Sequence, residues 1–318
     1  LATVLLQAGD ITEGRALTLT SLHDGMARDD ELAIRYNELM LGRAALATGR
    51  VGTAARWFRD VISGAQARGP IGYRDQGKAW LAVAIAWQGK VEEAKEILAS
   101  LDPEFVARNS IALLAKHWVA AIGGDLTAVP ALIERAVEVA GRGHRVLAAG
   151  LFHAAARLGG AAAAMPALVA LGNEADGAVI DLQAAHVRAE AEPTVAALVS
   201  IGERWAARGN LLYAAEAFAS AAGQARKAEA GREATALQNR ADALAAECEG
   251  AATPLLQFSD TAQQLTKRER EISALAAQGL SSIEIAEKLF LSSRTVDNHL
   301  QSSYAKLGIK GRSELAGR

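Results

Sequence analysis

A glycine recurs between the end of one apolar helix and the start of the next, and its spacing constrains the fold more than any other feature. Gly9, Gly49 and Gly89 stand 40 residues apart, and Gly124 follows Gly89 by 35. Leu46-Ala-Thr-Gly49-Arg-Val51, Ala86-Trp-Gln-Gly89-Lys-Val91 and Ala206-Ala-Arg-Gly209-Asn-Leu211 share one pattern: an Ala-rich run, a glycine, one polar residue, then another apolar start. Glycine just past a helix end adopts the left-handed conformation that a Cβ disfavours, and a small residue five positions on (Ala54, Ala94, Ala214) lets the next helix lie close. Helical hairpins of about 34 to 40 residues cannot bury their own faces and must stack on one another. The spacing therefore predicts an all-α protein with a tetratricopeptide-like α-solenoid over residues 1–250, its period stretching between Gly160 and Gly209.

Composition narrows the function classes. Apolar residues make up 51 % of the chain and aromatics only 5 %, which suits Ala-lined helix packing and excludes wholesale disorder. Large apolar residues at helical spacing, Trp57, Phe58, Val61 and Ile62, or Trp80, Leu81, Ala84 and Trp87, read as core rather than as a ligand groove. The single cysteine, Cys248, permits no internal disulfide and no Cys-based zinc site; a reducing, cytoplasmic location is expected. Its neighbours Glu247 and Glu249 disfavour the thiolate, so no redox role is assigned. His23, His117, His144, His153 and His186 show no ligand spacing, and no metal or cofactor is expected in this chain. Gly72-Tyr-Arg-Asp-Gln-Gly77-Lys78-Ala79 imitates a phosphate loop but has Ala79 where a magnesium-binding hydroxyl is needed, and reads as an inter-helix turn. No catalytic constellation emerges, so the chain is not expected to be an enzyme. No apolar run is read as approaching the roughly 18 residues of a membrane span, and no membrane partner is expected. Because the first residue is Leu1 and not Met, the chain is read as the C-terminal part of a longer polypeptide.

One long Ala-, Arg- and Glu-rich helix is expected over about Gln224–Glu247. The aperiodic stretch 251–261, with Pro254, reads as a linker to a second domain at 262–318. That tail holds nine Lys and Arg against six Asp and Glu, a net of +3, while the remainder has 25 against 30, or −5, so the formal −2 of the whole hides a basic end.

Start signals are dense in the tail. Thr266-Lys-Arg-Glu269 and Ser281-Ser-Ile-Glu284 are two capping boxes, each opening a helix. The first helix presents Ile272, Leu275 and Ala276 and stops at Gly279; the second carries Ile283, Ile285, Ala286 and Leu289. Phe290-Leu291 make a turn and Ser292 caps a third helix with Val296, Leu300, Tyr304 and Leu307 on its inward side. Its other side carries Arg294, Asp297, Asn298, Gln301 and Ala305, a polar stripe with no large apolar group. Amides there can bond base edges in pairs and a carboxylate can accept from cytosine. A short fourth helix is expected from Arg312-Ser-Glu-Leu315, so the order is that of a helix-turn-helix with one extra helix on each side.

Leu265-Thr-Lys-Arg-Glu-Arg-Glu271, Gly279-Leu-Ser-Ser-Ile-Glu-Ile-Ala-Glu-Lys-Leu289, Ser292-Ser-Arg-Thr-Val-Asp-Asn-His-Leu300 and Lys306-Leu-Gly-Ile309 with Arg312-Ser-Glu-Leu315 closely resemble the LuxR-type helix-turn-helix domain. The resemblance implies base contacts from Asp297, Asn298 and Gln301, and phosphate contacts from Ser282, Arg294, Thr295 and Lys306. Many members have Lys where this chain has Asp297, a departure that weakens attraction to phosphate. Helical repeats ahead of such a tail also resemble the C-terminal part of the large ATP-binding LuxR-family regulators, the maltose-regulon activator type, which implies a separate NTPase module before Leu1.

The expected function is a sequence-specific transcription regulator: the repeats receive a small-molecule or protein inducer, and the tail binds double-stranded DNA as a homodimer, with the fourth helix as the dimer contact and RNA polymerase as a candidate partner. The alternative is a helical-repeat scaffold or ligand-binding signalling protein with a secondary DNA-binding tail.

Overall fold

The computed structural model describes residues 10–67, 72–125, 127–174, 177–257, 265–307, 311–312 and 315. Among these there is no strand, and the protein is all-α. The helices run α1 (Ile11–Ala27), α2 (Glu31–Ala47), α3 (Val51–Ala67), α4 (Tyr73–Trp87), α5 (Val91–Ala99), α6 (Pro103–Arg108), α7 (Ser110–Ile122), α8 (Ala128–Gly141) and α9 (Arg145–Ala155), then α10 (Ala161–Glu174), α11 (Ala178–Ala191), α12 (Val195–Ala207), α13 (Leu211–Lys227), α14 (Gly231–Ala246) and the single turn α15 (Pro254–Gln257). The tail adds α16 (Lys267–Ala277), α17 (Ser282–Leu289) and α18 (Ser293–Leu307).

Gly9 lies outside the described residues; the other recurring glycines do what their spacing predicts. Gly49, Gly89, Gly124 and Gly209 all have positive φ. The residue after each reaches back to close the turn: Arg50 N–H to Ala45 O at 2.9 Å, Lys90 N–H to Ile85 O at 3.2 Å, Asn210 N–H to Trp205 O at 3.0 Å. These bonds satisfy carbonyls that the helix end would leave bare. At either end of the array the left-handed residues come 20 apart, one per helix, because acidic residues extend the glycine series there: Asp29 (φ 53) before Gly49, and Glu229 (φ 59) after Gly209. The single helix expected over Gln224–Glu247 is for that reason two, α13 and α14, folded at Glu229.

Stacked hairpins form a solenoid-like array with a continuous core that includes Phe58, Val61, Trp87, Trp118, Leu132, Phe152 and Leu168. Trp57, Ile62 and Trp80 are half-buried beside Phe58, Val61, Leu81, Ala84 and Trp87, so the aromatic runs are core and not a ligand groove. The array does not stay open. Its last helices meet the α2–α3 hairpin: Asn210 Nδ2 donates to Ala47 O at 2.8 Å, and Thr53 Oγ1 donates to Glu249 Oε1 at 2.8 Å across 196 residues of sequence. The Thr53 backbone N–H donates to the other Glu249 oxygen, so an acidic side chain from the far end caps the start of α3. Gly49 sits in this seam, where a Cβ would come within 2.9 Å of Cys248 Sγ and of Leu212 N.

Residues 251–257 of the stretch expected as linker are docked on the seam. Ala252 N–H donates to Trp87 O at 2.8 Å, Thr253 is fully buried with its hydroxyl on Glu216 at 2.6 Å, and α15 packs against α13. The rest of that stretch, 258–261, and residues 262–264 after it lie outside the described residues.

Gly72-Tyr-Arg-Asp-Gln-Gly77-Lys78-Ala79 is the entry into α4; Lys78 Nζ donates to Ser100 O at 3.1 Å and Ala79 is buried. Arg145–Gly172 is apolar enough in composition to match a membrane span, contrary to the reading from sequence. It is two helices folded at Gly159 (φ 91), and it contains the buried Arg157, so it is built as a core hairpin.

Candidate nucleic-acid interface

The tail has its own core. Ile272, Leu275, Ala276, Ile285, Ala286, Val296, Leu300, Tyr304 and Leu315 form one buried cluster. Both capping boxes form as read from the sequence. Thr266 Oγ1 accepts from Glu269 N–H and Glu269 returns to Thr266 N–H; Ser281 and Glu284 do the same for α17. Local polar side chains thus replace the missing partners at two helix starts.

Phe290 turns the chain between α17 and α18. It sits in the left-handed region (φ 55), and Leu291 N–H closes the turn on Ala286 O at 2.9 Å. Ser292 Oγ accepts from Thr295 N–H at 3.1 Å and lies 2.7 Å from Thr295 Oγ1. Val296, Leu300 and Tyr304 then anchor α18 from beneath, at the spacing that puts three residues on one side.

That anchoring fixes what faces outward. Arg294, Asp297, Asn298 and Gln301 are all exposed, on the side of α18 opposite its packed residues. Thr295 is half-buried, with its hydroxyl and N–H engaged by Ser292; Ser282, at the first turn of α17, is half-buried as well. The side chains of Lys306, Ala305 and Leu307 lie outside the described residues, as do residues 308–310 and 313–314, so the fourth helix expected at Arg312–Leu315 is described only at Arg312 and Leu315. Leu315 belongs to the tail's own core. One apolar position departs from its expected place: Ile283 is 64 % exposed, so the packed face of α17 is carried by Ile285 and Ala286, while Phe290, in the turn as expected, is 94 % exposed.

Such a stripe, held off its own core and bearing two amides, a carboxylate and a guanidinium, has the chemistry for base edges and phosphates together. The sequence profile of the "Bacterial regulatory proteins, luxR family" matches residues 263–317. The spore germination protein GerE of Bacillus subtilis is 52 % identical over 50 residues, which are 16 % of this chain and 68 % of GerE.

The chain belongs to the LuxR family of bacterial regulatory proteins.

The oxygen regulatory protein NreC of Staphylococcus aureus is 49 % identical over 57 residues, 18 % of this chain and 26 % of NreC. Both similarities are confined to the tail, which is a LuxR-family DNA-binding transcription-regulator domain. No solved structure matches the chain at a significant level.

Geometry outside the LuxR-family domain brings together what spacing kept apart. His153 Nε2 lies 2.8 Å from His186 Nδ1, although the two are 33 positions apart. The Trp205 indole can only donate, and it donates to the same Nδ1 at 3.1 Å. His186 therefore carries its proton on Nε2, which lies 3.7 Å from Glu190 Oε1, and His153 is the donor of the pair. Among the described residues, no three His, Cys, Asp or Glu side chains gather in a group able to hold a metal ion. Burial, before the nearby Glu216, Glu247 and Glu249, pushes the Cys248 thiol up to about 12; the sequence reading named only the last two.

Proposed function

We propose that the protein is a sequence-specific transcription regulator in which α18 reads the major groove through Asp297, Asn298 and Gln301, while Ser282, Arg294, Thr295 and Lys306 hold phosphate. The observation that supports this most is the exposed stripe Arg294, Asp297, Asn298 and Gln301 on a helix whose opposite side is packed. A tail with a net of only +3 neutralises few phosphates, so one copy binds weakly and two on a two-fold site bind well. On this reading the protein acts as a homodimer in the cytoplasm, touches RNA polymerase, and needs no cofactor or catalytic residue of its own in this chain. The helical array takes the inducer, a small molecule or a protein. The layout of array and tail suits the C-terminal part of a large ATP-binding regulator, whose NTPase module would be a separate unit.

The test starts from a duplex enriched by the wild-type chain from a random 20-base-pair library, about two turns of DNA. Asn298→Ala and Gln301→Ala should each weaken that duplex by about 1 to 3 kcal/mol while leaving the salt dependence unchanged. Variants that bind it like the wild type would remove α18 as the reading helix.

A further inference from the structure

Glu269 stands third in α16, and only 4 % of it is exposed. Its counterpart in the second capping box, Glu284, is exposed and is hydrogen-bonded to its own cap. Glu269 does something more. One carboxylate oxygen accepts from Thr266 N–H at 2.6 Å, and the other accepts from Ser302 Oγ at 2.5 Å. Ser302 lies in the middle of α18, next to Gln301 and one turn beyond Asn298. A single buried carboxylate thus ties the start of α16 to the centre of the reading helix. Its neighbour Arg268 holds the other end of the motif: Nη2 donates to Leu289 O, the last carbonyl of α17, at 2.7 Å, and Nη1 pairs with Glu271 at 2.7 Å.

Hydrophobic packing under α18 by Val296, Leu300 and Tyr304 is non-directional and leaves small rotations of the helix cheap. Those rotations matter, because a turn of about 10° displaces a side-chain tip on a helix of about 5 to 6 Å radius by about 1 Å, more than a hydrogen bond tolerates. A charge-assisted bond to a fixed carboxylate supplies the missing direction.

We infer that Glu269 is a positioning residue for base reading: acting through Ser302, it sets the rotation of α18 so that Asn298 and Gln301 meet base edges. This rests on α18 being the reading helix.

Ser302→Ala is the clean variant, since it leaves the Thr266–Glu269 capping box whole. With the full chain and the enriched duplex described above, S302A should bind on the order of tenfold more weakly, the lower part of the range for one misaligned bidentate contact. A scrambled duplex of equal composition should change by less than about twofold, since phosphate contacts carry it. Ser302→Thr, which keeps the hydroxyl, should recover most of the loss. Glu269→Gln should lower the same ratio, and the double variant E269Q/S302A should be no worse than the weaker single, as expected of two residues acting in one contact. Equal losses on both duplexes, or additive singles, would overturn the inference by making Ser302 a DNA contact in its own right. S302A indistinguishable from wild type would overturn it too, with or without a folded E269Q. A wild-type chain that enriches no duplex removes the functional reading itself, which keeps the two failures apart.

Discussion

Arg157 and Glu216 form a two-point ion pair across 59 residues of sequence, Nε to Oε2 at 2.6 Å and Nη2 to Oε1 at 2.7 Å, with neither side chain open to solvent. Arg157 comes from the turn between α9 and α10, Glu216 from α13. The guanidinium lies over three rings, at 4.3 Å from Trp87 and 4.7 Å from both Trp118 and Tyr213. Burial alone would lower the Arg157 pKa, but the adjacent carboxylate outweighs it and the charge is kept. The pair therefore ties the middle of the array to its last part, with Thr253 as a third member.

Removing one partner strands the other in a dry site, and Arg157→Met should cost about 3 to 5 kcal/mol. The double variant R157M/E216L should cost less than either single. All five tryptophans lie in the array, so urea unfolding followed by tryptophan emission reads this region alone. A single-variant cost under about 1 kcal/mol would mean that the pair is not the keystone of the seam.

The left-handed positions predict opposite signs for two small changes. Gly49→Ala adds a Cβ at φ 87 within 2.9 Å of Cys248 Sγ, and should destabilise by more than the roughly 1 kcal/mol of the backbone conformation alone. Glu229→Gly relieves an exposed acidic residue at φ 59 and should raise the melting temperature. Calorimetry of the two variants decides it; shifts of the same sign would count against the turn assignment.

His153 is held well below its ordinary pKa of 6.5, first by burial and then by His186 and Arg157. It stays neutral in the fold, while the unfolded chain takes up a proton near 6.5, so below that pH the unfolded state binds more protons. Stability should be level in this respect above about pH 7 and fall as pH drops through about 6.5. His153→Gln keeps a donor toward His186 Nδ1 and should flatten the fall in melting temperature between pH 7 and pH 5. Parallel profiles for variant and wild type would assign the acid sensitivity elsewhere.

Cys248 is buried, its Sγ donates to Leu244 O at 3.3 Å, and its thiol is pushed up to about 12. A thiol reagent at pH 8 should therefore label the native protein slowly and the urea-unfolded protein at once. Because Cys248 lies beside Gly49, G49A should label faster. Rapid labelling of the native wild type would show that the seam opens readily.

Asp297 faces outward on α18, and on the proposed reading its carboxylate repels phosphate. Asp297→Asn should tighten binding to a scrambled duplex, and Asp297→Lys should also steepen the log-affinity against log-salt slope by about 0.9 for the added phosphate contact. Slopes that coincide for D297K and wild type would place residue 297 away from the backbone.

What the sequence disclosed was whatever is local. Gly49, Gly89, Gly124 and Gly209 were readable because only glycine enters the left-handed region at no steric cost, and Thr266–Glu269 and Ser281–Glu284 because a capping box is complete within four residues. Glu229 was hidden, since an acidic residue in that conformation leaves no compositional mark, and one long helix was read in place of two. Spacing could not reveal His153 beside His186 or Glu249 on Thr53, because both contacts depend on how far the array curls. Within the tail, the stripe from Arg294 to Gln301 follows from helical period, yet the same period places Ile283 among the packed residues when it faces outward. Periodicity over an eight-residue helix does not say which of several apolar residues lies underneath. Ser302, the most telling contact of α18, carried no signal, because serine is common on exposed helix faces.

Glu249 capping the start of α3 changes what kind of object the array is. Open stacks grow or shrink by whole modules, and each module unfolds nearly on its own. A stack whose ends clasp has a fixed copy number: one added or deleted hairpin would carry Glu249 past Thr53 and leave both without a mate. Closure over 196 residues also raises contact order, so this block should form late and fail all at once. The tether to the DNA-reading tail is rooted inside that block, and whatever loosens the clasp frees the tether in the same event.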